Sequence, residues 1–350
     1  MRIVITGGAG FIGSHAAEFY AQKGEEVVVI DNLSRADLLG SKQMNALYNW
    51  NYLGKYSHIE RIKGDIREKD LLIKTCRDAD VIIHAAAQTA VTTSVTDPRS
   101  DFEINAYGTF NVLEAARNGR NCPCVIYCST NKVYGDNVNK LPLRESDHRY
   151  DFVDSGITGI SETLPIDLCE HTPYGCSKLT GDLYVQDYSQ RGLIDAAVFR
   201  MSCIYGTRQF GVEDQGWVAW FSIATLTGKP ITIYGDGKQV RDVLYVSDVV
   251  RAYDSFIKKR DRIHHGVYNL GGGVSKTLSL HELLDILEDI TGKRSALIYK
   301  GWRPSDQKVY ISDTSKVEKE LGWKAGISPY EGIKKIVEWI RENIGIVTNQ

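Results

Sequence analysis

Short apolar runs alternate with longer amphipathic stretches through the first half of the chain. Each run is four or five residues long and rich in β-branched side chains. Strict alternation with polar residues is largely absent, which is typical of parallel strands buried on both faces. We predict strands at Ile3–Thr6, Val27–Asp31, Ile59–Lys63, Val81–Ala85, Val125–Ser129 and Ala196–Arg200.

The stretches between these runs carry apolar residues at helical spacing. We predict helices at Gly13–Lys23, Lys69–Cys76, Asp101–Asn118 and Tyr174–Arg191. Regular alternation of strand and helix favours an α/β fold, with a Rossmann-type, doubly wound parallel sheet.

The pattern changes after about residue 203, where the segment Gln209–Trp217 is rich in Gly, Gln and Trp. We assign residues 1–202 to a larger domain, with 236–265 crossing back to it. Residues 203–235 and 266–350 then form a smaller C-terminal lobe. Further elements are predicted at Ile231–Tyr234, Val246–Lys258, Leu280–Thr291 and Pro329–Ile344, and surface insertions near a site at Ser34–Tyr56 and Leu141–Cys169.

Composition narrows the class of protein. The 350 residues carry a formal net charge of -2, so no general field attracts nucleic acid or an anionic membrane. The seven cysteines form no Cys-x-x-Cys pair, which argues against a disulfide framework or a metal site. No apolar run is long enough to span a membrane, and no signal-peptide pattern is present. We therefore expect a cytoplasmic protein.

Glycines at a three-residue spacing directly follow the first predicted strand. Gly7, Gly10 and Gly13 would allow a tight turn, close approach of a pyrophosphate and a helix that begins at the phosphates. Asp31 ends the second strand, where a carboxylate accepts hydrogen bonds from the ribose hydroxyls of NAD. The nearby Arg35 leaves some tolerance of NADP open.

Tyr174 and Lys178 lie four residues apart, on one face of a predicted helix. An ammonium and a positive nicotinamide ring would lower the phenol pKa, so that Tyr174 could take a proton from a hydroxyl. Tyr330 and Lys334 repeat this spacing, but no nucleotide motif leads to them. Thr130 distinguishes the first pair, because it ends a buried strand where open α/β sheets bind ligands.

These motifs resemble those of the extended short-chain dehydrogenase/reductase family of nucleotide-sugar epimerases and dehydratases. The resemblance covers nearly the whole chain. Besides the glycine turn and the Tyr-x-x-x-Lys motif, it rests on His84–Gln88, Asn105, Ser129–Asp136, Arg208–Phe221, Gly235–Val243, Tyr268–Gly271 and Arg303–Gln307.

The resemblance implies NAD as cofactor, a nucleotide sugar as substrate and no metal. The implied catalytic residues are Thr130, Tyr174 and Lys178. The implied cofactor-binding residues are Gly7, Gly10, Phe11, Ile12, Gly13, Asp31, Asn32, Ser34, Arg35, Asp65, Ile66, Ala85, Ala86, Ala87, Gln88, Asn105, Ser129, Tyr174 and Lys178. The implied substrate-binding residues are Thr130, Asn131, Arg208, Gln215, Trp217, Arg241 and Arg303.

The implied reaction is epimerisation, in which a sugar carbon is oxidised to a ketone and reduced again from its opposite face. The likeness favours carbon 2 of a CDP-linked sugar, and carbon 4 of a UDP-linked sugar is the alternative. A 4,6-dehydratase requires an Asp-Glu pair after the threonine, whereas this chain has Asn131 and Lys132. A non-catalytic NAD-binding regulator is a further alternative. The helices Asp101–Asn118 and Tyr174–Arg191 are expected to pair across a two-fold axis in a homodimer.

Overall fold

A parallel sheet of seven strands forms the centre of the protein. The computed structural model describes residues 1–35, 47–153, 156–157, 159–303 and 306–348. Its strands are β1 (Arg2–Thr6), β2 (Glu26–Asp31), β3 (Ile59–Lys63), β4 (Val81–His84), β5 (Cys124–Thr130), β6 (Leu143–Glu145), β7 (Tyr150–Phe152), β8 (Ala196–Met201), β9 (Cys203–Tyr205), β10 (Ile231–Tyr234), β11 (Val240–Tyr245), β12 (His265–Leu270), β13 (Thr277–Ser279), β14 (Leu297–Lys300) and β15 (Val309–Tyr310).

Helices flank this sheet and build most of the smaller lobe. They are α-helices at Phe11–Gln22, Tyr48–Leu53, Lys69–Cys76, Val91–Thr96, Pro98–Phe102, Gly108–Arg117, Pro173–Gln190, Trp217–Thr227, Val246–Lys259, Leu280–Thr291, Ser315–Leu321, Pro329–Glu342 and Ile344–Val347, 3₁₀ helices at Asn131–Lys140 and Val274–Lys276, and a π-helix at Glu103–Tyr107.

The order of strands in the central sheet is β12-β8-β5-β4-β1-β2-β3, and every neighbouring pair is parallel. The chain therefore reverses its direction of winding beside β1, and this switch point opens a crevice at the carboxyl ends of β1 and β4. The predicted α/β class and all six predicted strands are confirmed. The seventh strand, β12, was not predicted.

Both faces of the central sheet are buried, because successive side chains point to opposite sides. On β1, Ile3 and Ile5 pack into one apolar cluster and Val4 packs into another. On β2, Val27 and Val29 join the first cluster while Val28 and Ile30 join the second. This arrangement explains why the strands are nearly uniformly apolar and show no alternation.

The helix predicted at Asp101–Asn118 is three consecutive segments in the structure. Pro98–Phe102 and Gly108–Arg117 are α-helical, and the π-helix Glu103–Tyr107 lies between them. The wider turn carries Asn105, whose side chain is buried. Single π turns of this kind occur frequently at functional sites.

Strand pairing places the boundary between the lobes differently from the sequence interpretation. The part of 236–265 that forms β11 pairs with β9, β13 and β15 in the smaller lobe. The helix Val246–Lys259 instead packs against one face of the central sheet, and β12 pairs with β8 at the edge of that sheet. The segment that crosses back is therefore 246–270, because β12 extends it beyond residue 265.

The two predicted surface insertions are only partly polar surface. In the first, residues 36–46 lie outside the described residues, and Tyr48–Leu53 is a helix that buries Leu53 in the core. The second forms a small antiparallel hairpin of β6 and β7, and its Tyr150 and Phe152 pack against β15. Within the described ranges, no helix has the length and apolarity that a membrane span requires.

Candidate active site

The glycine turn after β1 forms one wall of the main cavity. Gly7 has a φ of +70°, and a Cβ atom there would lie 2.5 Å from the backbone nitrogen of Ala86. A Cβ at Gly13 would lie 2.2 Å from the carbonyl oxygen of Gly7. The helix Phe11–Gln22 begins here without a side-chain cap or an acidic residue in its first turn. Its amides and positive dipole end therefore suit a pyrophosphate, so this cradle fits a dinucleotide.

Asp31, at the end of β2, lies at one end of the cavity. Its carboxylate accepts hydrogen bonds from the backbone amides of Leu33 and Ala9, at 2.8 and 2.9 Å. Burial raises the pKa of Asp31, and these two amides oppose that shift. A carboxylate has further lone pairs, so Asp31 could still accept ribose hydroxyls.

Arg35 faces the smaller lobe. Its guanidinium donates to the carbonyl oxygen of Phe210 at 3.1 Å and approaches Gln215 Oε1 at 3.5 Å. These contacts hold Arg35 against the segment 209–217, and Arg35 also lines the cavity near Asp31. Asn32 donates to Asp65 at 2.8 Å. Although burial opposes it, hydrogen bonds from Arg67 and Asn32 lower the pKa of Asp65 to about 2.

The segment Ala85–Gln88 lines the middle of the cavity, and Asn105 supports it from behind. Asn105 Oδ1 accepts from the backbone nitrogen of Gln88 at 2.9 Å, and its Nδ2 lies 2.9 Å from the Gln88 carbonyl oxygen. The same Nδ2 lies 3.1 Å from both Asp101 Oδ1 and Ser177 Oγ. Asn105 does not itself line the cavity. Its amide instead links this segment to the helix that carries Tyr174.

Thr130 and Tyr174 meet at the carboxyl end of β5. Both side chains line the cavity, and the Thr130 hydroxyl is close enough to oppose the rise in the pKa of the Tyr174 phenol. This hydroxyl donates to Asn131 Oδ1 and accepts from the Lys132 backbone nitrogen, each at 3.3 Å. Tyr174 lies in the first turn of the helix Pro173–Gln190, and its backbone nitrogen donates to Ser94 Oγ at 3.2 Å. The structure thus brings together the two residues that are expected to touch the reacting oxygen.

The expected lowering of the phenol pKa is not produced by the protein's own groups. Burial raises the pKa of Tyr174 to about 12, and the Thr130 hydrogen bond only opposes this. Lys178 is not among the groups that shift the pKa of this phenol, and its ammonium lies 4.2 Å from the ring centre of Tyr127. Burial also lowers the pKa of Lys178 to about 8. An oxidised nicotinamide, when bound, would supply a positive charge that lowers the pKa of this phenol.

A buried ion pair beneath the site was not predicted from the sequence. Arg200 Nε and Asp182 Oδ2 are 3.0 Å apart, and both side chains are almost fully buried. Ser129 Oγ donates to the same carboxylate at 2.7 Å, so the Ser129 hydroxyl is directed into this network. Asp182 follows Lys178 by one helical turn, and this spacing was the available signal. The network fixes β5, β8 and the catalytic helix to one another.

His84 is a core residue at the end of β4. Its Nδ1 lies 2.7 Å from Thr6 Oγ1 and its Nε2 lies 2.9 Å from Thr109 Oγ1. Burial, with a smaller effect of Lys178, lowers the pKa of His84 to about 3. The described ranges contain no cluster of His, Cys, Asp and Glu that could bind a metal.

The segment 209–217 of the smaller lobe contributes Gln209, Gln215, Gly216 and Trp217 to the lining of the cavity. Gln215 Nε2 donates to the hydroxyl of Thr89, which follows the Ala85–Gln88 segment. Trp217 Nε1 donates to Cys203 Sγ at 2.7 Å, and both residues line the cavity. We call this segment the strap. It joins the smaller lobe to the cofactor side of the larger domain.

Three predicted substrate-binding arginines do not line the main cavity. Arg208 is wrongly placed for that role, because its guanidinium lies between Glu18 and His15, at 2.7 and 2.9 Å, beside a second cavity. Arg241 forms an ion pair with Asp306 at 2.7 Å. Arg303 pairs with Asp214 of the strap at 2.6 Å; Pro304 and Ser305 of the same motif lie outside the described residues.

Most of the predicted site residues do line one cavity of about 380 Å³, a volume typical of ligand sites. Those outside it are Asn105, Lys178, Asn131, Arg208, Arg241 and Arg303. Asn131 is directed toward Gln307, with 3.4 Å between Nδ2 and Oε1. The residues that line it are Gly7, Gly10, Phe11, Ile12, Gly13, Asp31, Asn32, Ser34, Arg35, Asp65, Ile66, Ala85, Ala86, Ala87, Gln88, Ser129, Thr130, Tyr174, Gln215 and Trp217.

The fold and this cavity together define a dinucleotide-binding α/β enzyme with a tyrosine at its reacting end. A family model described as "NAD dependent epimerase/dehydratase family" matches residues 3–271. The chain belongs to this family, and the predicted class of enzyme and its NAD cofactor are confirmed.

Individual relatives are similar over nearly the full chain. A CDP-paratose 2-epimerase of Salmonella typhi is 39% identical over 97% of this chain and 99% of its own length. A putative UDP-glucose 4-epimerase of Methanocaldococcus jannaschii is 35% identical over 97% and 99%. The structure of UDP-glucuronic acid 4-epimerase from Bacillus cereus, in complex with UDP-glucuronic acid and NAD, aligns with a TM-score of 0.80 at 28% identity, covering 98% of this chain and 100% of that one.

Proposed function

We propose that this protein inverts carbon 2 of a CDP-activated sugar, and so acts as a CDP-paratose (CDP-tyvelose) 2-epimerase. The observation that supports an epimerase is that Thr130 and Tyr174 lie together in the cavity. Thr130 is followed by an amide and an amine, Asn131 and Lys132, rather than by two carboxylates. The 39% identity to the Salmonella typhi enzyme over nearly the full length supports the CDP-sugar and carbon 2.

Tyr174 would move the hydroxyl proton of the reacting carbon. Its phenol is buried, so only a group held in the cavity can exchange a proton with it. Thr130 would donate to the same oxygen and so orient it. Bound NAD supplies the acceptor and donor of the hydrogen on carbon. The Ala85–Gln88 segment and the glycine turn would hold that cofactor, and the strap would exclude water.

Elimination of water is disfavoured by the chemistry beside Thr130. A dehydratase needs carboxylates to protonate the leaving hydroxyl and to remove a carbon-bound proton. Asn131 cannot titrate, and its amide is directed toward Gln307. Lys132 is a base with Arg241 and Asp306 as electrostatic neighbours. The two positions after Thr130 therefore do not provide the carboxylate pair of a dehydratase. We therefore expect no 4-keto-6-deoxy sugar among the products.

A UDP-sugar 4-epimerase is the second candidate, supported by the 35% identity to the Methanocaldococcus jannaschii protein. The two candidates differ in the nucleotide base of the substrate and in the sugar carbon that is inverted. Purified enzyme should be offered CDP-paratose, CDP-glucose, UDP-glucose and UDP-galactose, and products identified by proton NMR. Conversion of a CDP-sugar at carbon 2 supports the proposal, whereas inversion at carbon 4 alone overturns it. In D₂O the product should contain no carbon-bound deuterium, because only the hydroxyl proton passes through Tyr174.

The variant Tyr174→Phe tests the catalytic role. Loss of a general base costs about 10²–10⁴-fold in rate. We expect turnover to fall by that amount while NAD content is unchanged. Tyr330→Phe is the matched control, because Tyr330 has the same spacing to a lysine but hydrogen-bonds Asp289 on the surface. Equal turnover in both variants would remove Tyr174 from the reaction, and no turnover in the wild type would favour an NAD-binding regulator.

We also propose a homodimer formed by the helical segments 98–117 and 173–190. Phe102, Tyr107, Leu183 and Tyr184 are large apolar side chains with about half of their surface exposed, at 55%, 47%, 48% and 43%. Exposed apolar groups on adjacent helices are typical of protein interfaces. Light scattering should give twice the 39.2 kDa chain mass, and Tyr184→Arg should halve it. A wild-type monomer would refute the dimer.

A further inference from the structure

Lys132 carries an ammonium that no described residue binds. Among those residues, no carboxylate lies within ion-pair distance of it, and no oxygen accepts a hydrogen bond from its side chain; only its backbone nitrogen bonds, to Thr130. The side chain is nevertheless partly buried, in the 3₁₀ segment that follows β5. A partly buried cation without a partner is costly, so a ligand would stabilise it.

The groups around Lys132 have a net positive charge. Its electrostatic neighbours are Arg241, Asp306 and Cys203. Asp306 already pairs with Arg241 at 2.7 Å and accepts from the backbone nitrogen of Gln307. The Cys203 thiol is neutral, because burial raises its pKa to about 11. Among these neighbours, two cations therefore face a single carboxylate, and that carboxylate is already paired with Arg241.

This cluster adjoins the main cavity through Cys203, whereas Lys132 and Arg241 lie just outside the lining residues. Cys203 lines that cavity, and Lys132 follows Thr130 by two residues. The diphosphate is the charged part of a nucleotide sugar, whereas its sugar hydroxyls carry no charge that could balance the cluster. We propose that Lys132 is a second cation, beside Arg241, that binds the substrate diphosphate. The inference rests on the function proposed above.

The experiment measures binding of CDP, CMP and cytidine by calorimetry to Lys132→Met, Lys132→Arg and wild-type protein. Hydrogen bonds to charged groups are worth enough that losing one weakens binding by about tenfold or more. We expect this loss for CDP in Lys132→Met, a smaller loss for CMP and none for cytidine. Lys132→Arg should retain most of the affinity. Lys140→Met is the control, because Lys140 lies in the same 3₁₀ segment and is exposed.

A pH series gives a readout that a purely structural role would not change. Burial, with a smaller effect of Arg241, lowers the pKa of Lys132 to about 8. CDP affinity of the wild type should therefore decrease as pH rises above about 8. In Lys132→Arg the affinity should stay constant over the same range, because a guanidinium remains charged.

The failures of the two proposals are distinguishable. If the wild type binds neither CDP nor UDP, the nucleotide-sugar function is wrong. If the wild type binds CDP and Lys132→Met binds it within twofold, only the role of Lys132 is overturned. A lower turnover with unchanged CDP affinity also overturns that role, because it would place the amine at the sugar. NAD content and thermal unfolding of each variant identify loss of folding, in which case the Lys132→Arg pH series decides.

Discussion

Asn105 shows how a single side chain can support the site without lining its cavity. Its buried amide contacts Gln88, Asp101 and Ser177, which belong to three different segments. Gln88 follows the strand end that lines the cofactor cavity, and Ser177 lies one turn after Tyr174. The distance between cofactor and base thus depends on this amide, whose role is positioning.

Replacing Asn105 by Leu should weaken both stability and turnover. The change leaves the backbone nitrogen and carbonyl oxygen of Gln88 without their side-chain partner in a buried place, and each such loss costs about 1–3 kcal/mol. We expect urea denaturation to show a reduction of that order and turnover to fall more than NAD affinity. Asn118→Leu is the control, since Asn118 is exposed and bonds only within its own helix. An unchanged unfolding midpoint for Asn105→Leu would contradict this.

At the scale of elements, the strap couples the smaller lobe to the cofactor cavity. It contacts the larger domain through Gln215 to Thr89 and through the Phe210 carbonyl to Arg35. Both partners follow strands whose carboxyl ends line the cavity, β4 and β2. A segment held at both sides in this way would have to open before the cofactor can leave.

Shortening Gln215 to Ala should therefore speed the release of NAD. Removing one hydrogen bond of the strap costs about 1 kcal/mol, which corresponds to about a fivefold faster release. The rate is measured by exchange of bound NAD against a fluorescent analogue. Gln22→Ala serves as control, because Gln22 is exposed on the helix Phe11–Gln22. Equal release rates in both variants would show that the strap does not retain the cofactor.

At the scale of the whole molecule, buried histidines make stability depend on pH. Burial, with a smaller effect of Lys178, lowers the pKa of His84 from 6.5 to about 3. Burial and Arg208 lower the pKa of His15 in the same way. Below 6.5 the unfolded chain binds protons that the folded chain does not, so stability rises with pH. The contribution is complete above 6.5 and is lost as pH falls toward 3.

The free energy of unfolding should thus be smaller at pH 5.5 than at pH 7.5, by about 1 kcal/mol for each such histidine. The variant His84→Asn should show a smaller difference between the two pH values, even if it is less stable at both. His58→Asn, which changes an exposed ring, should keep the wild-type difference. A His84→Asn difference equal to that of the wild type would contradict the argument.

The sequence predicted the larger domain better than the smaller lobe. Parallel strands and glycine turns are local signals, so β1, β2 and the turn at Gly7 were recognisable directly. The pairing of β12 with β8 was not recognisable, because the sequence of residues 265–270 does not indicate which strand β12 pairs with. Likewise, the family resemblance suggested Arg208 as a substrate-binding residue. Its contact with Glu18 depends on tertiary packing, which local sequence patterns do not show.

The late position of β12 has a consequence for how the protein can be made and divided. Strand β8 pairs with β5 on one side and with β12 on the other, and β12 follows β8 by more than sixty residues. A ribosome must therefore release all of the chain between β8 and β12 before the sheet is complete. A fragment that stops at residue 202 would leave the edge of β8 open, and open edges recruit other chains into aggregates. Attempts to express the nucleotide-binding half alone should yield insoluble material unless the fragment carries 246–270 as well.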